Sequence, residues 1–118
     1  MQDPRIEKLA DLLVDYSVAV TPGDKVMVNC IGFNTEPLAR ALVPRILAKG
    51  GIPFCVVDHA PLLRDLAIGA SEQQMKDFAA VQKSFMEQMQ CYIGVRGSEN
   101  QFEMSDVPAD KKIGRAHV

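Results

Sequence analysis

The stretch from Gly23 to Asp58, "GDKVMVNCIGFNTEPLARALVPRILAKGGIPFCVVD", decides the fold. "KVMVNCI" (25–31) is a short apolar, β-branched run and predicts a strand. "IPFCVVD" (52–58) predicts a second strand. It is apolar almost throughout, as a strand covered on both faces would be, and Pro53 near its start costs least there. "LARALVPRILAKGG" between them predicts a helix stopped by Gly50-Gly51. Asn34 or Thr35 can cap it, and Glu36 is favourable in its first turn. Pro44 lies inside it, so a kink is expected there, or two short helices with Pro44 opening the second. Strand, helix and strand in this order form a βαβ unit with a right-handed crossover.

Working outward, "DPRIEKLADLLVDYSVAV" (3–20) predicts a helix with Asp3 as cap and Pro4 at the first position. Ile6, Leu9, Leu13 and Tyr16 fall on one stripe, with Ala10 and Val14 beside it. "TPGD" then breaks it. Past Asp58, "HAPLLRDLAIGA" is a short helix or turn. "SEQQMKDFAAVQKSFMEQM" (71–89) is a helix that Ser71 and Gln74 open as a capping box. Its stripe of Met75, Phe78, Ala79, Gln82, Phe85, Met86 and Met89 is expected in the core. "CYIGVRG" (91–97) is a third strand, and "SENQFEMSDVPADK" (98–111) is a polar, turn-rich connection. The expected fold is α/β: a small parallel sheet flanked by helices, a three-layer sandwich with strand order 2-1-3.

The chain has 118 residues, 47% of them hydrophobic, with 13 basic and 15 acidic side chains and a net charge of -2. That is one domain at most. The charges are interspersed and there is no Trp, so nucleic acid is not an expected partner. No uncharged apolar run approaches a membrane span, and the charged start is not a signal peptide. Cys30, Cys55 and Cys91 lie far apart in apolar runs, as buried free thiols of a cytoplasmic protein would. The end, Ile113 to Val118, can be encoded by the opening of a common sequencing-library adapter, with Lys112 completed by its first bases. Residues 1–111 are therefore taken as the domain and 112–118, His117 included, as a non-native tail.

The chemistry-bearing residues are sparse. Neither a dinucleotide fingerprint nor a P-loop occurs, and Glu36 by the Gly32 loop would repel an anion. His59, after strand two, stands where open α/β sheets bind ligands, yet one His beside Asp58 makes neither a metal site nor a triad. Ser17, Ser84 and Ser105 lack a nucleophile elbow. Asp58 with Asp65, and Asp77 with Glu87, do not mark an acid/base pair. Arg96, Ser98, Glu99 and Asn100 gather at the sheet's carboxyl edge, either as a connection or as a surface packed on another domain. No catalytic, cofactor-binding or metal-ligating residue is assigned.

Three stretches, "RIEKLADLLVDYSVAVTPGDKVMV" (5–28), "PLARALVPRILAKGG" (37–51) and "GSENQFEMSDVPADK" (97–111), carry a resemblance. Together they resemble the amino-terminal domain of the thermophilic-type aminopeptidases, the aminopeptidase S/T group of metallopeptidases. The resemblance implies a longer, homodimeric parent that removes amino-terminal residues from peptides. It also implies a following catalytic domain whose Glu, His, Tyr and Asp side chains hold two divalent metals. None of those ligand positions has a counterpart here, so the chain is expected to be a non-catalytic domain fragment. An independent ligand-binding or regulatory α/β module is the alternative, and a fragment of a nucleotide-binding enzyme a third. A domain cut from its partner exposes an apolar patch, expected at the Met89 end of the long helix and at Phe102 to Val107.

Overall fold

The computed structural model describes residues 3–97 and 102–107, the last six by backbone alone. Helix α1 (Pro4–Leu12) opens on Asp3, whose carboxylate accepts the Arg5 N–H at 2.9 Å. It runs into a π-turn, Leu13–Ser17. Strand β1 (Lys25–Ile31) leads through a 3₁₀ turn, Phe33–Thr35, into α2 (Glu36–Ala48). Then come β2 (Ile52–Asp58), α3 (Ala60–Gly69), α4 (Glu72–Glu87), β3 (Cys91–Gly97) and β4 (Phe102–Val107). The sheet order is β2-β1-β3-β4. The first three strands are parallel, in the expected order. β4 adds an antiparallel edge beside β3, where the sequence predicts only a connection. Its period-two pattern is short, because Asp106 stands where the alternation of Phe102 and Met104 calls for an apolar residue.

Helices cover both faces of the sheet. On one face Val26, Val28, Cys30, Cys91, Ile93 and Val95 pack with Leu38, Leu42 and Ile46 of α2 and with Ala10, Leu13 and Val14. On the other, Met27 and Tyr92 meet Met86 and Met89 from the end of α4, with Phe54 and Phe85 alongside in an edge-on ring pair. This is the three-layer α/β arrangement.

Several local expectations change. Tyr16 is 77% exposed rather than on the buried stripe. The π-turn widens the helix, so Val18 donates to the carbonyl of Leu13 and Val20 to that of Val14. The buried seam shifts to Val14 and Val18. α2 runs unbroken through Pro44. Pro44 and Arg40 are both exposed, so water can satisfy the Arg40 carbonyl that the proline leaves without a donor. Thr35 is fully buried but does not cap α2; its hydroxyl donates to the Gly32 carbonyl at 2.6 Å.

β2 is not covered on both faces. It is an edge strand, and Ile52, Val56 and Val57 are exposed. The α4 stripe is buried only at its carboxyl end: Met86 and Met89 are in the core, whereas Phe78 and Ala79 are exposed. α3 buries no residue at all. Leu62, Ile68 and Val81 are 65%, 76% and 70% exposed, so the apolar patch lies on β2, α3 and α4. The expected site at Met89 is wrong, since Met89 is 2% exposed. The side chains of Phe102 to Val107 lie outside the described residues, as does the tail 112–118.

Candidate functional site: a cleft at the carboxyl ends of the strands

β1 lies between β2 and β3, so chain direction around the sheet switches there. In open α/β sheets a crevice opens at such a point, beyond the carboxyl ends of the strands. Here it is a cleft of about 440 Å³ lined by Ile31, Gly32, His59, Ala60, Pro61, Leu63, Arg96 and Gly97.

Its frame follows from local sequence. Gly32 leaves β1 with φ of 103°, a conformation that favours glycine. Its N–H donates to the Asp58 carbonyl at 2.8 Å, tying the end of β1 to the end of β2. The Asn29 side chain donates to the Asp58 carboxylate at 3.2 Å, across the same pair of strands. Asn34 then folds back over Gly97, against which a β-carbon at that position would collide. The loop after β1 is thereby seated on the end of β3.

One ring lines the cleft, backed by a second. His59 precedes α3 at the cap position, where its side chain makes no capping bond. Its ring instead stacks on Phe33, with centroids 4.5 Å apart and planes 21° from parallel. Arg96, exposed near the end of β3, lines the cleft as well. No carboxylate among the described residues pairs with it, although β4 sets Glu103 opposite it in register. Below the cleft, burial pushes the Cys30 thiol up to about 11. Burial first, and then the charges of Asp58 and Cys30, raise the Tyr92 hydroxyl.

Of the residues singled out from sequence, His59 and Arg96 meet at this cleft, while Ser98, Glu99 and Asn100 lie outside the described residues. Asp58 lies beside the cleft, bonded to Asn29, while Asp65 sits on α3. Asp77 accepts from Gln73, and Glu87 faces Lys83 at 4.0 Å. Ser17 lies in the π-turn, Ser84 on exposed α4, and the Ser105 side chain is not described. Cys30 and Cys91 are buried free thiols as expected, but Cys55 is exposed, because its strand forms the sheet edge. Sequence reasoning passed over Phe33 and gave Asn34 only a possible capping role. The signal was available: a glycine leaving a parallel strand, followed by an aromatic, marks the switch-point loop.

Among the described residues no group of three His, Cys, Asp or Glu side chains converges to hold a metal. The donors among the described residues do not gather as a dinuclear centre needs. No helix of the described residues is long and apolar enough to cross a membrane.

The sheet, with helices on both faces, and its carboxyl-edge cleft define an α/β domain with an open crevice at its switch point. The chain belongs to the thermophilic metalloprotease (M29) family, whose sequence model matches residues 2–117. A search of curated proteins finds no match.

Proposed function

We propose that the chain is the amino-terminal, non-catalytic domain of a metal-dependent aminopeptidase that acts on peptides. The observation that carries this is the scatter of its donors within a metalloprotease family. His59 stacks on Phe33, Asp58 is bonded to Asn29, Asp11 and Glu7 hold Arg45, and Asp15 holds Lys49. Each is spent on structure, and among the described residues no three such side chains converge to hold a metal. Metal-assisted hydrolysis needs ligands gathered at one point. The two divalent ions are accordingly placed in a following catalytic domain, and that domain is seated on the exposed apolar face of β2, α3 and α4. We place the parent in the cytoplasm as a homodimer; the free thiols support that compartment.

The direct check is activity against a chromogenic aminoacyl substrate with added zinc, cobalt or manganese. The 118-residue chain should release nothing, and the gene extended past Lys111 should be active. Release by the short chain alone would overturn the assignment. The cleft itself favours a second reading, a ligand-binding α/β module, because its lining is preformed without any partner domain.

A further inference from the structure

The cleft carries binding chemistry of its own. Its lining combines the apolar residues Ile31, Ala60, Pro61 and Leu63 with the polar side chains of Arg96 and His59. Its volume of about 440 Å³ falls within the range of small-molecule sites. Such sites pair a mostly apolar lining with a few polar groups that fix orientation.

The charge points to an anion, and the backbone decides which kind. A phosphate cradle needs several free N–H groups at a helix start or glycine loop. Most of those donors are committed here. The N–H groups of Leu62 and Leu63 both donate to the His59 carbonyl, and Pro61 has none. The N–H of Gly32 goes to Asp58 and that of Thr35 to Gly32. The charged group that lines the cleft is one planar guanidinium, that of Arg96, which matches a planar carboxylate in two parallel bonds. The stacked pair of Phe33 and His59 holds its ring plane at the cleft wall.

We propose that this cleft binds a monocarboxylate carrying an apolar body, of the kind presented by the carboxyl-terminal residue of a peptide. Arg96 takes the carboxylate, and the apolar lining of Ile31, Ala60, Pro61 and Leu63 takes the apolar group. This stands on the cleft and not on the assignment of the chain to a peptidase. A chain that binds no metal and cleaves no peptide leaves it untouched.

The test is a titration of the isotopically labelled 118-residue chain, followed by the amide signals of Gly32, His59 and Gly97. The probes are N-acetyl-leucine, N-acetyl-leucinamide and inorganic phosphate. N-acetyl-leucine should shift these signals to saturation. The amide and phosphate should each bind at least about tenfold more weakly, the scale of one hydrogen-bonded charge pair. Arg96→Gln should lose that same factor and Arg96→Lys should recover part of it. The acid–amide comparison uses the unmodified chain, so it holds even where a substitution disturbs the fold. Equal binding of acid and amide, stronger binding of phosphate, or no saturable shift would each overturn the proposal.

Discussion

Asn34 and Gly97 meet where the loop after β1 crosses the end of β3, and the fit leaves no room for a β-carbon. The atoms in the way belong to the end of the exposed Asn34 side chain, which can swing aside, so Gly97→Ala should destabilise the fold by about 1 kcal/mol, the low end for forcing extra atoms into a contact. Thermal unfolding of Gly97→Ala, Asn34→Ala and the double variant checks this. The double variant should lose less than the two single losses added together. A second residue-scale effect concerns pH. Burial holds the Cys30 thiol up at about 11, against about 8.5 in an open chain. Below the open-chain value both states keep the proton, and this group's contribution is constant. From about pH 9 toward 11 only the unfolded chain releases it, so stability falls by up to about 1.4 kcal/mol per unit. Denaturant titrations across that window should show the fall, and Cys30→Ala should flatten it. Tyr92, raised by burial, acts in the same direction. At this scale the sequence was only partly legible. The position of His59 after β2 drew attention to it, but its stacking on Phe33 depends on two loops separated by more than twenty residues.

At the scale of elements, Arg45 fastens α2 to α1. Its Nε donates to Asp11 at 2.6 Å, its Nη1 to the Ala41 carbonyl at 2.9 Å, and its Nη2 lies 3.7 Å from Glu7. The side chain is only 26% exposed, though its partners are more so. Arg45→Ala should cost about 1 kcal/mol, discounted for the solvent around the carboxylates. The loss should persist partly at high salt because the stem also packs. Urea melts at low and high salt measure both. The elements themselves were largely legible, because periodicity and capping are local. Asp3 and the pair Ser71 and Gln74 cap as their spacing implies. Burial was not local. The apolar run of β2 is equally compatible with a central strand and with an edge awaiting a neighbour. Ile52 donates its N–H to Asp24 and Asp58 accepts from Gly32, so those residues face β1. By alternation, Pro53, Cys55 and Val57 direct their backbone groups outward. Pro53 thus removes a donor from the open edge, a common protection against stray strand pairing.

For the whole molecule, α3 has no buried residue, and α4 keeps Phe78 and Val81 exposed. Helices with an apolar face are stabilised by what covers them. The chain alone should therefore self-associate, and Ile68→Glu with Val81→Glu should make it more monodisperse without lowering its melting temperature by more than a degree or two. Light scattering behind size exclusion measures this. A wild-type chain that is a stable monomer at high concentration would count against a covering domain. The most direct measurement is calorimetric titration of the 118-residue chain with zinc, cobalt and manganese. The scattered donors of this domain predict no stoichiometric, tight site for any of the three. Stoichiometric binding that disappears in His59→Ala would contradict the account and bring the metal chemistry into this domain.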